Sequence, residues 1–429
     1  MNQFSDDQQL ALDAIDRMVR ARQGVMFLTG EAGTGKSYTT KAACEKHKII
    51  KLGTTGLAAM IQGGQTVHSF INVGIGTPMR ADGSWDMGAM KNMVKEHALA
   101  LNNADAVLVD EAFMLRTEVA DLMDMKFRRA TGVAKPFGGK PVIFCGDPWQ
   151  IEPIVSSEAE SEMIKRFYHG NPYIWGARAM SGIQPISVEL TQVFRQAGDP
   201  VFRDILNALR KGSIMHLDKL NPRVAKWDQK SVCITFTNKR ADIINDFHLG
   251  LIQGKSKSYY ADNPGLSPRD LPAPLQVEIK IGARVLIRAN TEEYVNGDAG
   301  EVVELGEESV TVKLDRTGEN VVVEQNEWQI HKYSFSEEEG FGAKIVGTYR
   351  QLPLILGWAI TTHKSQGQTY ERAHIEMESR PHAAGLFYVA VSRVKTMDGL
   401  TLGRAPKPSD VRINPEVKIW ERLRQQVAA

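Results

Sequence analysis

The stretch Val25-Met-Phe-Leu-Thr-Gly-Glu-Ala-Gly-Thr-Gly-Lys-Ser37 constrains this chain more than any other. Val25 to Leu28 is an apolar run of the length of a buried strand. Gly30, four further residues and Gly35-Lys36-Ser37 follow at once. Glycines carry no Cβ, so successive backbone N–H groups can converge on a polyphosphate. The helix-forming stretch Tyr38 to His47 aims its positive dipole end at the same anion. A Gly-rich turn matching by accident is the alternative, and the flanking strand and helix speak against it. The pattern predicts a nucleotide site built from Gly30, Glu31, Ala32, Gly33, Thr34, Gly35, Lys36, Ser37 and Tyr38. Lys36 supplies a cation for the outer phosphates, and the Ser37 hydroxyl suits Mg²⁺.

A length of 429 residues predicts two to four folding units. Mean hydropathy is −0.27, and no apolar run reaches the length of a membrane span. No secretory or transit segment precedes the first helical stretch. A net charge of +1 gives no global field, although a basic groove can sit inside a neutral total. Cys44, Cys145 and Cys233 lack metal spacing and lie in apolar or helical stretches. They read as buried free thiols in a reducing, cytoplasmic compartment.

Along the chain, Ser5 and Gln8 form a capping box ahead of a helix with one apolar face. Gln8 either caps only or also reads an adenine edge. Ile49 to Leu52 reads as a strand ending in Thr54-Thr55, followed by Thr66-Val-His-Ser-Phe70. There the hydroxyls suit phosphate contacts, and Phe70 either stacks on a base or belongs to the core. Residues 72–100 form an inserted excursion ending in a helix from about Met87 to Leu101. Ala106 to Val109 is a buried strand that delivers Asp110 and Glu111 to its C-terminal end, one carboxylate for Mg²⁺ and one for a water proton. Val142 to Gly146 is a further strand, ending in Asp147 and Gln150. Asp147 reads as a cap or turn residue, and Gln150 as a sensor of the γ-phosphate. Strands alternating with helices predict an α/β fold with parallel sheets. A second α/β unit begins near residue 191 without a phosphate loop of its own. Residues 276–349 carry short alternating strands of a small β-barrel, with Ser334 to Gly342 as a mobile loop. The last helix begins at Asn414-Pro415.

In order and spacing these motifs resemble the superfamily-one DNA helicases that move 5′ to 3′, the Dda/RecD-like enzymes. The resemblance runs from Gln8 to Arg393. Thr361-Thr-His-Lys-Ser-Gln-Gly367 together with Tyr388-Val-Ala-Val-Ser-Arg393 is its most specific part. It implies two tandem RecA-like parallel-sheet domains. The first would span 1–190 with a wedge-like insertion at 72–100, the second 191–275 and 350–429. An SH3-like β-barrel insertion would occupy 276–349. It further implies ATP and Mg²⁺ as cofactors, with Gln8 on adenine, Lys36 on the phosphates, Ser37 and Asp110 on the metal, and Glu111 activating water. Gln150 would couple the γ-phosphate to the DNA groove, with Arg195 and Arg393 as arginine fingers. Thr55, His68, Phe70, His363 and Ser365 match motifs that face single-stranded DNA. Glu152 departs from the family's pattern, and a carboxylate there is expected to point away from DNA phosphates. The expected partners are single-stranded DNA, single-strand/duplex junctions and a single-stranded DNA-binding protein. The expected form is a monomeric phage or bacterial motor of DNA replication, repair or recombination. A translocase that parts no duplex and a nucleotide-switched binding scaffold are the rival readings. A metabolic P-loop kinase leaves the second unit unexplained.

Overall fold

A computed structural model describes residues 4–54, 59, 63–74, 78–80, 82–155, 157–193, 199–262, 271, 273–336 and 340–428. The apolar runs become the strands of a parallel six-stranded sheet. Its order is Gln65–Thr66, Ile49–Gly53, Ala106–Asp110, Val142–Gly146, Val25–Gly30 and Ile186–Leu190. Strands Val25–Gly30 and Val142–Gly146 are buried at every position, as a sheet covered on both faces requires. Alternation sorts their side chains. Phe27, Val107, Val109 and Phe144 share one core with helix Thr117–Thr131, whereas Met26, Leu28, Leu108 and Ile143 face helix Asp6–Ala21.

A second sheet is also parallel, in the order Ala359–Thr361, Val232–Thr235, Ala373–Ile375 and Leu400–Leu402. Between its first two strands in sequence lies an antiparallel five-stranded sheet, Asn320–Glu324, Ser309–Leu314, Ala299–Leu305, Arg284–Ile287 and Leu354–Leu356. Strand Gln276–Ile279 pairs with Lys257–Tyr260 instead.

Three expectations change. Of the stretch Ser334 to Gly342, expected as a loop, residues 337–339 lie outside the described residues, and the flanking residues belong to the paired strands Asn326–Ser336 and Gly340–Gln351. Each strand satisfies the other's backbone, so the glycines at 340 and 342 do not prevent pairing. This pair of strands leaves the five-stranded sheet and reaches the first unit. There Tyr333 is 3% exposed, its hydroxyl accepts from Lys51 N (2.9 Å), and Gln65 Oε1 accepts from Tyr333 N (3.2 Å). The helix expected from Met87 begins only at Lys95. Asp86 ties the preceding residues into a turn by accepting from Gly88 N at 2.8 Å, and Val94 is extended. Within the 72–100 excursion, Met79 and Trp85 form an antiparallel bridge.

The third change concerns the last helix, Pro415–Ala428, which was expected with the second unit. It lies on the first. Trp420 stacks on Trp175 (centroids 5.1 Å apart) and meets Phe27 edge-on at 5.7 Å, and Arg424 pairs with Glu189 at 2.6 Å. Both ends of the described chain therefore belong to the first unit. Among the described residues no helix is long and apolar enough to cross a membrane.

Removing the Trp420 ring should unseat this helix. Trp420→Ala is expected to destabilise the first unit by about 3–5 kcal/mol. Thermal unfolding should show an early transition for that unit, with the second unit's transition unmoved.

Candidate nucleotide and nucleic-acid site

The phosphate loop runs from the end of strand Val25–Gly30 into helix Lys36–Lys46. Gly33 (φ 88°) and Gly35 (φ 85°) adopt the left-handed backbone that turns the chain. A Cβ on Gly30 would lie 2.6 Å from Thr34 Oγ1 and 2.8 Å from the Leu190 carbonyl. Lys36 Nζ is held over the loop, donating to the carbonyls of Gly30 (2.7 Å) and Glu31 (3.0 Å). Gln8 does two things at once. Its Oε1 accepts from Ser5 N at 3.1 Å, closing the capping box, and its Nε2 donates to the Thr34 carbonyl at 3.4 Å. The Phe4 and Tyr38 rings lie 5.2 Å apart. Phe4 was missed in the sequence because one aromatic before a cap carries no pattern.

Asp110 ends its strand, and Glu111 follows with φ 49° and ψ 36°. A non-glycine residue in the left-handed region is strained, and such strain gathers at functional sites. Burial, then the Asp110 charge, pushes the Glu111 carboxyl up to about 7, against the opposing pull of Lys36 and Arg393. Ser37, Asp110 and Glu111 are among the residues lining a cavity of about 2410 Å³, so a hydroxyl and a carboxylate of Mg²⁺-binding type share one space. Among the described residues no cluster of three or more His, Cys, Asp or Glu side chains could hold a metal by itself.

The second unit meets this site through the loop after strand Val142–Gly146. Gln150 Oε1 accepts from Gln366 Nε2 at 2.9 Å. Glu152 turns to the second unit, its Oε1 accepting from Ala384 N and its Oε2 from Asn414 Nδ2, each at 2.8 Å. Gly385 passes so close that a Cβ would sit 2.1 Å from the Gln150 carbonyl. Asp147 is the turn residue expected, its Oδ1 accepting from Trp149 N at 3.2 Å, and it also forms a buried pair with Arg210, which sequence reasoning missed because the partners are 63 residues apart.

Arg393 is 1% exposed. Its guanidinium donates to the carbonyls of Val389 (2.8 Å), Ser365 (3.3 Å) and Gln368 (3.1 Å) and to Ser392 Oγ (2.8 Å). Its charge also pulls the Glu111 carboxyl down against the effect of burial. Arg195 and Thr55 lie outside the described residues.

Of the residues expected to face a single strand, His363 lines the large cavity, beside Lys364, Gln366 and His382. Ser365 does not face it. It is 0% exposed, its Oγ donates to the Thr362 carbonyl at 2.8 Å, and its own carbonyl receives Arg393. Phe70 is likewise core, 0% exposed, stacked on His97 at 5.1 Å and edge-on to Phe127 at 6.1 Å. No ring face remains for a base, and the apolar core under helix Val67–Phe70 is the reason. His68, on the same helix, is half-buried. Burial and then the Arg116 charge push its imidazole down to about 4, so it is neutral at pH 7.

A phosphate loop, paired carboxylates at a strand end and a second parallel-sheet unit in contact with the neighbouring loop define a protein of the RecA-like, P-loop class. The chain matches the family described as PIF1-like helicase over residues 3–219 and belongs to it. Among curated relatives, the ATP-dependent DNA helicase PIF1 of Xenopus laevis is 29% identical over 91% of this chain and 60% of its own length. This chain thus spans about three fifths of the vertebrate relatives it matches. The Bacteroides Pif1 structure in complex with ADP-AlF4 superposes with a TM-score of 0.86 at 27% identity, covering 99% of this chain and 98% of that one. Bacteroides Pif1 bound to ssDNA superposes at 0.71 with 26% identity, covering 100% and 98%. The fold is accordingly that of two RecA-like domains.

His68 should leave a trace in stability. Its pKa is lower folded than unfolded, so the unfolded chain binds the extra proton between about pH 6.5 and 4. Stability supplied by neutral His68 is present above 6.5 and lost as pH falls through that window. His68→Gln should flatten the acid-side fall by on the order of 2 kcal/mol. Urea denaturation at pH 7 and pH 4.5 checks it, and equal slopes in both proteins would refute the assignment.

Proposed function

We propose that this protein is an ATP-dependent DNA helicase that translocates 5′ to 3′ on single-stranded DNA and separates duplexes at single-strand junctions. The observation that carries the reading is one cavity whose lining includes Ser37, Asp110 and Glu111 together with His363, Lys364 and His382. Phosphate chemistry and a candidate strand groove are thereby continuous, and both units line the space.

Bound ATP would lie on the Gly30 to Ser37 loop, with adenine near Gln8, Phe4 and Tyr38. Mg²⁺ would be held by Ser37 and Asp110 and would neutralise charge on the outer phosphates. Glu111 accepts the proton of the attacking water. Its raised carboxyl is matched to neutral pH, where a base is most effective. Lys36 stabilises the transferred phosphoryl group, and Arg393 and Arg195 complete the charge from the second unit. Arg393 is held by backbone carbonyls of 365–368. Any shift of the second unit therefore moves the arginine and the His363 segment together.

Domain closure then follows from differential binding: a state gripped by nucleotide and a state gripped by the strand must differ in shape. This chain lies nearer the DNA-free Bacteroides Pif1 structures, with or without a nucleotide analogue (TM-scores 0.86 and 0.84), than those bound to ssDNA (0.71). Within the groove, His363 and Lys364 touch the strand, while Phe70 and Ser365 brace from behind. The domain division we favour places the five-stranded sheet as an SH3-like insertion and residues 72–100 as the wedge.

The test is ATP-driven unwinding of a duplex with a single-stranded tail, 5′ in one substrate and 3′ in the other. Opening of the 5′-tailed substrate alone is expected. Opening of the 3′-tailed one alone would overturn the polarity. Tail-stimulated hydrolysis without opening of either would leave a translocase. In the same assay Lys36→Ala should abolish hydrolysis. Glu111→Gln should keep ATP binding and lose about 10²–10⁴-fold in turnover. Arg393→Ala should lose about 10³-fold. Because that side chain also satisfies buried carbonyls, Arg393→Lys with wild-type melting is the control, and it too should be slow.

A further inference from the structure

His363 follows strand Ala359–Thr361, and His382 precedes helix Leu386–Val391. The two imidazoles meet in the large cavity. Their rings are stacked, with centroids 6.4 Å apart and planes 25° apart, and both residues line the cavity wall. His363 is half-buried and His382 exposed. Among the described residues neither ring has a hydrogen-bond partner. A polar ring drawn partly out of water without a partner is costly, so the pair calls for an explanation.

The backbone fixes both rings in place. The turn that carries His363 is closed by Ser365 N on the Thr361 carbonyl (2.9 Å) and Lys364 N on Thr361 Oγ1 (3.3 Å). The loop that carries His382 is held from beneath by Arg412, whose Nη1 donates to the carbonyls of Pro381 (3.2 Å) and His382 (2.8 Å) and whose own carbonyl accepts from Gly385 N (3.0 Å). The charged groups around the pair are Arg412, Lys364 on the His363 turn, Arg288, whose Nη1 donates to the Lys364 carbonyl at 3.4 Å, and Glu152. Both Glu152 oxygens are engaged, by Ala384 N and Asn414 Nδ2. Burial and then His382 lower the His363 imidazole from its ordinary value, and no carboxylate offsets them. The surroundings therefore offer cations and a committed carboxylate, and the His363 ring is neutral at pH 7. A phosphodiester reaching both rings reverses that balance. It accepts from the ring N–H groups, and its charge favours the imidazolium that two neighbouring imidazoles otherwise deny each other.

We propose that His363 and His382 together form a phosphate subsite of the strand groove that takes up a proton when a single-strand phosphodiester occupies it. The inference rests on the helicase reading above and adds His382 to the residues that touch the strand. The proton comes from solvent and stays on the imidazole pair for as long as the phosphate is bound. The grip on the strand is thereby linked to pH: it tightens on acidification and loosens as pH rises.

The experiment measures the oligothymidylate Kd by fluorescence anisotropy between pH 6 and pH 8, at fixed salt and without nucleotide. Wild type is compared with His382→Gln, His382→Lys and His363→Gln/His382→Gln. His382 is exposed, so its replacement leaves the core untouched, and melting curves at both pH limits check this. Wild-type affinity should fall about tenfold from pH 6 to pH 8. The fall should shrink to about threefold or less in His382→Gln and vanish in the double variant. His382→Lys carries a fixed cation, so it should bind more tightly than wild type at pH 8 and show a flatter profile. Calorimetry in two buffers of unlike ionisation heat should show proton uptake by wild type at pH 6.5 and none by the double variant. A wild-type Kd unchanged across the range, or a fall kept in full by the double variant, would overturn the inference and leave the helicase reading standing. Glutamine variants weakened equally at every pH would make the rings a stacking platform for bases and overturn it as well. No binding of oligothymidylate at any pH would sink the helicase reading and this one with it.

Discussion

A parallel sheet gathers all its strand carboxyl ends along one edge, and the chemistry of this protein depends on that constraint. Gly30, Asp110 and Gly146 end three neighbouring strands of the first sheet. The phosphate loop, the carboxylates and the Asp147 to Gln150 loop therefore meet although they come from stretches far apart in sequence. The sheet is buried on both faces, so the edge is rigid, and strain such as the left-handed Glu111 can be sustained there.

That approach is polar and close rather than greasy. Gln366 on Gln150, Arg210 on Asp147, Ala384 and Asn414 on Glu152 and the bare backbone of Gly385 all engage one loop of the first unit. Hydrogen-bonded contacts of this kind can be exchanged for others at modest net free energy, which suits the domain closure proposed. Apolar contacts, by contrast, hold what is not required to move. Trp420 seats the last helix among Phe27, Phe113 and Trp175, and Tyr333 seats the long hairpin against Phe70. The second unit is thus bounded by chain segments that return to the first.

Much of the site was readable from residues because its motifs are local. The phosphate loop, Asp110-Glu111 and the capping box of Ser5 and Gln8 each need only a few consecutive positions, and each lies where the pattern places it. Phe70 and Ser365 show the limit. A short helix displays one side chain outward and the next inward, and which is which depends on what packs beneath. His97, Phe127 and Tyr333 claim the Phe70 ring, and the last two are far from it in sequence. The pairing of 326–336 with 340–351 was obscured because Gly340, Gly342 and Gly347 are poor strand formers on their own, and only the facing strand makes the conformation favourable.

The sequence by itself determined the class of chemistry. Glycine spacing, a lysine and a hydroxyl specify a phosphate cradle wherever a strand feeds a helix, since backbone geometry there is local. Alternating apolar runs likewise determined that parallel sheets would form. Only the tertiary structure decided which polar residues became partners. The pairing of Asp147 with Arg210, the burial of Arg393 among carbonyls and the return of Pro415–Ala428 to the first unit are all long-range. Ion pairs and aromatic stacks form between whatever surfaces the fold brings together, and no periodicity in the chain records the partner.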